Sequence, residues 1–269
     1  MSIQDARIAV LEARMSSEMA DLIRRKGGTA WSVPAVREAT LDATEPVATF
    51  IDRLSAGEIQ IVVFFTGVGV NALLQMAETL GRQEQLLNLL RSVTIVCRGP
   101  KPGAVLRRNN IPIAASTPEP FTTQELIETL SMFNVEGKTL GIVHYGERNA
   151  QLAQVLSARG AHLEELCLYE WRLPDDTAPL YELVNELLDG HVDAVLFTSQ
   201  IQVRHLFQIA REQEKADILA EALRSKTIVA SIGPTCTAVL QEYGVTPHVV
   251  PEHPKMGHLV KALVQYIER

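Results

Sequence analysis

Short, unbroken apolar runs alternate with longer stretches of helical period along the whole chain. "IVVFF" (61–65), "TIVC" (94–97) and "AVLF" (194–197) are examples of the runs. Runs of this kind, rich in Val, Ile and Phe, mark strands buried on both faces rather than strands with one wet face. The pattern predicts strands at 7–13, 30–37, 60–66, 93–98, 112–115, 139–145, 162–172, 193–198, 226–232 and 247–250. It predicts helices at 16–26, 45–56, 68–91 with a break near Gly81, 101–109, 122–132, 148–158, 177–189, 200–223 with a break near Lys215, 235–243 and 256–267. Strand, helix and strand in succession imply βαβ units, hence an α/β fold of parallel sheets with helices on both faces.

The pattern occurs twice. Gly99-Pro100 recurs as Gly233-Pro234, an offset of 134. "VVFFTGVGVNALL" (62–74) recurs as "AVLFTSQIQVRHLF" (194–207), with Thr66 on Thr198 at an offset of 132. "RIAVLEARMSSEMADLIRRKGG" (7–28) matches "LGIVHYGERNAQLAQVLSARG" (140–160), with Arg14 on Arg148. These offsets are close to half the chain and define two tandem copies. Two aligned stretches of mixed polarity break the pattern, "GTAWSVPAVRE" (28–38) and "AHLEELCLYEWRLP" (161–174). Pro34 removes a ladder donor, which suits an edge or a two-stranded ribbon. Read as paired connector strands, they divide the chain into a discontinuous lobe of 1–35 with 173–269 and a continuous lobe of 38–163.

Composition narrows the function. A chain of 269 residues is long for one core, and 46% apolar with 21% charged residues is ordinary for a globular protein. No apolar run approaches bilayer length, and "MSIQDARIAV" has no basic-then-apolar leader, so a cytoplasmic protein without membrane contact is expected. The net charge of −7 argues against nucleic acid as a partner. Cys97, Cys167 and Cys236 form no CxxC pair and read as buried small hydrophobes in a reducing compartment.

Polar residues gather where predicted strands end and helices begin: Arg14, Thr66, Arg98, Tyr145, Thr198, Ser199 and Thr235. In open parallel sheets ligands sit beyond these strand ends, where helix N-termini offer free N–H groups to anions. Gly99 and Gly233 allow a tight turn or a close approach of backbone to ligand, and Pro234 suits a first helical turn. Taken singly, each such residue is also an ordinary helix cap. No GxxxxGK[ST], GxGxxG or HExxH occurs, and "FTGVG" loses its glycines in the second copy. His248, His253 and His258 share no helix or strand face by their spacing, so no metal or other cofactor is expected.

"IGPTCTAVLQEYG", with "VLFTSQIQVRHLF" upstream, "LCLYEW" in a connector and "PEHPKMGHLVKAL" near the end, resembles the uroporphyrinogen-III synthase family. The likeness covers essentially the whole chain, and order and spacing carry it more than any one motif. It implies two Rossmann-like or flavodoxin-like lobes joined by a two-stranded β connector, with the site in the cleft between them. It implies a cofactor-independent, monomeric lyase of tetrapyrrole biosynthesis. Such an enzyme receives hydroxymethylbilane from hydroxymethylbilane synthase, closes it into a ring and inverts the last pyrrole with loss of water. An azafulvene cation stabilised by the pyrrole itself needs no strong nucleophile, so catalysis is mainly by orientation.

By the resemblance, Tyr169 falls on the family's connector tyrosine, a candidate proton donor or hydrogen bond at the departing hydroxyl. Thr235 falls on the Gly-Pro-Thr threonine, Thr198 and Ser199 on the "FTS" corner, with Thr66 as the first-copy equivalent; Arg14 matches an arginine after the first strand. With Arg98, Gly99, Lys101 and Gly233 these form the candidate binding set. Gly67 stands where family members often have Ser, and Lys255 where Thr is common. Arg98-Gly99-Pro100-Lys101-Pro102 adds two positive charges at the first-copy corner. They suit substrate carboxylates, or mark a divergent subgroup. A reading from a different class is a non-catalytic two-lobe module that binds a tetrapyrrole or a small anion for regulation.

Overall fold

The computed structural model describes residues 3–144 and 146–268; Tyr145, one of the strand-end candidates, lies outside them. Eleven strands and twelve α-helices are present among the described residues. The chain divides into two units, Met1–Arg37 with Arg172–Arg269, and Glu38–Trp171.

The first unit is built on Arg7–Val10 (β1), Thr29–Ser32 (β2), Ala194–Phe197 (β10) and Ile228–Ser231 (β11), in the order β11-β10-β1-β2 and parallel throughout. Its helices are Ser16–Arg25 (α1), Ala178–Asp189 (α8), Gln200–Glu212 (α9), Ala216–Ser225 (α10), Pro234–Glu242 (α11) and Met256–Ile267 (α12). One face of the sheet packs Ile8, Val10 and Leu196 against Met19 and Ile23 of α1 and Leu259 and Leu263 of α12. On the polar side of α1, Arg24 and Arg25 occupy the last turn, where the helix dipole favours them.

The second unit carries Ile59–Phe64 (β4), Thr94–Cys97 (β5), Ala115–Ser116 (β6), Thr139–Val143 (β7) and His162–Leu166 (β8), in the parallel order β6-β5-β4-β7-β8. Thr44–Ser55 (α2), Gly67–Thr79 (α3), Gln83–Ser92 (α4) and Pro100–Arg108 (α5) supply most of one face, with Phe50, Phe64, Leu73 and Leu90 in its core. Thr123–Ser131 (α6) and Ala150–Ala158 (α7) cover the other, closing on Val63, Val96 and Ile142. Thr122 and Glu125 form a reciprocal capping box that starts α6. The breaks near Gly81 and Lys215 fall between α3 and α4 and between α9 and α10, and Gly81 has φ +68°.

Three expectations need correction. The stretches 28–38 and 161–174 are not single connector strands. Each begins as a parallel edge strand of a main sheet (β2 and β8), and only then supplies Arg37–Thr40 (β3) or Tyr169–Arg172 (β9), which pair as a separate two-stranded antiparallel sheet. Pro34 and the residues around it make the break in the first stretch. The strand expected at 112–115 shrinks to two residues between Pro112 and Pro118. The strand expected at 247–250 is a single bridge, Ala230 to Val249, with Pro247 and Pro251 on either side.

Candidate functional site

In both units the strand order reverses direction at one place, and each reversal leaves a crevice past the strand ends. In the first unit it lies between β1 and β10, in the second between β4 and β7. Candidate residues gather at these two places.

At the second-unit crevice Thr66 caps α3, its Oγ1 accepting the Gly69 N–H at 2.9 Å. The same oxygen is 3.0 Å from the Tyr169 hydroxyl. Tyr169 opens β9 and is buried at 2% exposure, its ring edge-on to Trp171 with centroids 5.5 Å apart. Thr66 is the half-buried member of the pair. Either hydroxyl of the pair can be the donor; where Tyr169 donates, the Thr66 proton points away from it.

The neighbouring corner after β5 holds Arg98, Gly99 and Lys101. Arg98 N–H donates to Phe64 O at 2.9 Å, and its guanidinium lies 4.7 Å over the Phe65 ring. Gly99 has φ 97° and ψ −170°, a region reserved for glycine, and a Cβ there would stand 2.9 Å from the Phe121 ring. Lys101 is exposed in the first turn of α5. A Cβ on Gly67 would approach Lys101 O to 3.0 Å, so the starts of α3 and α5 are in contact. This accounts for glycine at the position where Ser is common in the family: a larger residue would push the two helix starts apart.

At the first-unit crevice the Thr198 hydroxyl donates to Glu12 Oε2. Gln202, buried on α9, donates from Nε2 to Thr198 Oγ1 at 2.8 Å and to Glu12 Oε2 at 3.4 Å. Its Oε1 accepts the Thr198 N–H at 2.8 Å. Glu12 Oε1 accepts the backbone N–H of Arg14 at 3.1 Å and of Met15 at 3.4 Å. The Arg14 side chain is exposed. Ser199 precedes α9 without a capping hydrogen bond from its side chain.

Gly233 is not in a glycine-only conformation. Its φ of 174° is extended backbone open to any residue, and a Cβ there would meet only Pro254 Cβ at 3.2 Å. Thr235 is exposed in the first turn of α11. Beneath it the buried Ser231 donates to Gly233 O at 3.2 Å and accepts from Thr237 at 3.0 Å.

Sequence reasoning missed Glu12, Gln202 and His144. His144 follows β7 and is 1% exposed. Its Nε2 lies 2.7 Å from Glu165 Oε1, and only a protonated nitrogen bridges to a carboxylate. Nδ1 is then the unprotonated atom in the neutral ring, buried without a partner. Burial pushes the imidazole below its ordinary pKa, against the opposing pull of Glu165. The position of His144 at the end of the strand expected over 139–145 was the available signal.

The cysteines are free. Burial pushes Cys97 up to about 12 and Cys236 up to about 11, so both are inert thiols. Cys167 departs from the expected full burial: it is half-buried, with its pKa raised by burial and held back by the adjacent Arg148. His253 and His258, which share no helix or strand face by spacing, meet in space with ring centroids 5.2 Å apart. No group of three or more His, Cys, Asp or Glu able to hold a metal occurs among the described residues, and no described helix is long and apolar enough to cross a membrane.

A duplicated parallel α/β chain with polar crevices past its strand ends, and a tyrosine reaching one of them from a two-stranded sheet, defines the class. Residues 17–261 match the family model described as uroporphyrinogen-III synthase HemD, and the chain belongs to that family. It is 30% identical over 265 residues to the uncharacterized protein YjjA of Bacillus subtilis, covering 97% of this chain and 96% of that one. It is 30% identical over 250 residues to a Methanothermobacter thermautotrophicus protein provisionally named uroporphyrinogen-III synthase, covering 92% and 93%. A mutant uroporphyrinogen III synthase from the extreme thermophile Thermus thermophilus superposes with a TM-score of 0.79 at 25% identity, covering 98% of this chain and 99% of that chain. The Helicobacter pylori uroporphyrinogen-III synthetase, at 14% identity and a TM-score of 0.55 over 97% and 99%, shares the fold.

Proposed function

We propose that this chain is a cytoplasmic uroporphyrinogen-III synthase, a lyase that cyclises hydroxymethylbilane with inversion of the last ring. The observation that carries the reading is the Thr66–Tyr169 hydroxyl pair at the strand-order reversal of the second unit. Departure of the terminal hydroxyl as water needs a proton at the leaving oxygen. Thr66 Oγ1, polarised by Tyr169 and the Gly69 N–H, is placed to supply a hydrogen bond there. Arg98 and Lys101, at the corner before and in the first turn of α5, suit the acetate and propionate side chains of the substrate. The rest of the task is to hold the bent chain until the inverted closure occurs, which is catalysis by orientation.

One observation favours a binding module without turnover: Tyr169 is buried at 2% exposure. A coupled assay separates the readings. Porphobilinogen and hydroxymethylbilane synthase are incubated with the protein, and the products are oxidised and resolved by isomer. The synthase reading expects the type III isomer. Accumulation of the type I isomer alone, with tight binding of uroporphyrin, would establish the binder.

A further inference from the structure

At one aligned position the first crevice has a carboxylate and the second has none. Glu12 follows β1, and the second-unit position aligned with it by the offset of 134 is Gly146. Gly146 has no side chain because the Trp171 indole occupies the space: a Cβ there would lie 2.4 Å from Trp171 Cδ1. In the first unit Glu12 consumes the donors that a ligand acid would need. Its Oε1 takes the Arg14 and Met15 N–H groups just before α1, and its Oε2 takes the Thr198 hydroxyl and the Gln202 amide. An incoming carboxylate would find these donors engaged and a like charge beside it.

Resting on the reading above, we infer that Glu12 determines specificity. Its charge, with its acceptor positions filled by protein donors, excludes the acid side chains of the tetrapyrrole from the β1–β10 crevice. Thr198, one of the candidate binding residues, donates its hydroxyl to Glu12.

The test uses the full chain with uroporphyrin, an acid-rich tetrapyrrole, as the binding probe. Glu12→Gln removes the charge and keeps the shape. It is expected to bind uroporphyrin several-fold tighter than the wild type, with a steeper salt dependence, and to form type III product more slowly without a rise in KM. If Glu12→Gln does not fold by thermal melting, Glu12→Lys and Glu12→Asp replace it. The lysine is expected to tighten binding further and the aspartate to leave it unchanged. Wild-type affinity in the charge-removed or charge-reversed variant overturns the inference. A wild-type chain that forms no type III isomer, beside a Glu12→Gln variant that gains affinity, sinks the assigned reaction and leaves the charge assignment standing.

Discussion

The two copies of the repeat place a threonine at the same point and use it differently. Thr66 meets a phenol, Tyr169, at 3.0 Å, a pair in which either hydroxyl can donate. Thr198 gives its proton to Glu12. The corners after the next strand diverge too: Gly99 is held in a glycine-only conformation beside two cationic residues, and Gly233 is plain extended backbone beside an exposed threonine. Duplication supplied two equivalent crevices, and substitution of a few residues gave their threonines different partners. Fold alone therefore cannot assign the chemistry of either corner.

The largest expected effect falls on the Thr66–Tyr169 pair. Tyr169→Phe and Thr66→Val should each lower type III turnover by roughly a hundredfold, about 2–4 kcal/mol of transition-state stabilisation, as for other donors aimed at developing charge. The double variant should be little worse than either single one, because the two hydroxyls act in series. Thr198→Val should cost turnover far less. Single-turnover rates with thermal melting as a control check this, and full activity in Tyr169→Phe would make Tyr169 a packing residue.

The second test compares the glycine corners. Gly99→Ala forces a side chain into φ 97° and against the Phe121 ring, and should destabilise the protein by roughly 1–3 kcal/mol. Gly233→Ala meets only Pro254 at the edge of contact and should stay within about 0.5 kcal/mol of wild type. Urea unfolding reads both. Equal losses would remove the distinction between the corners.

The smallest effect is a pH dependence confined to the second unit. His144 has a folded pKa below its ordinary 6.5, so folding favours the neutral ring. The unfolded chain binds the extra proton first as pH falls below 6.5. Stability is full above that value and is lost as pH drops toward the folded pKa. His144→Gln should flatten this part of the melting profile. Glu165→Gln should widen the window, because the carboxylate is what pulls the His144 pKa back up. A His144→Gln profile that superposes on wild type between pH 7 and 5 would show that other groups control the acid loss.

Much of the fold was legible in the sequence. Helix α12 falls on the expected 256–267, and α1, α2 and α8 lie within a residue or so of their expected bounds. Apolar period and turn residues act over a few neighbours, so they survive reading one stretch at a time. The errors came where prolines cut pairing short, at 112–115 and 247–250, and where two stretches joined an edge strand to a separate ribbon. Edge strands have mixed polarity because one side is solvated, so their pattern gives no sheet assignment.

By itself the sequence determined the α/β class, the parallel pattern, the duplication and the threonines at the strand ends. Only the tertiary structure decided what those threonines do. Thr66 and Tyr169 are 103 residues apart, and Thr198 and Glu12 are 186 apart. No local period records which distant group satisfies a hydroxyl. That is settled when the strands come into register and each buried donor must find an acceptor or remain unpaired at a cost of about 1–3 kcal/mol.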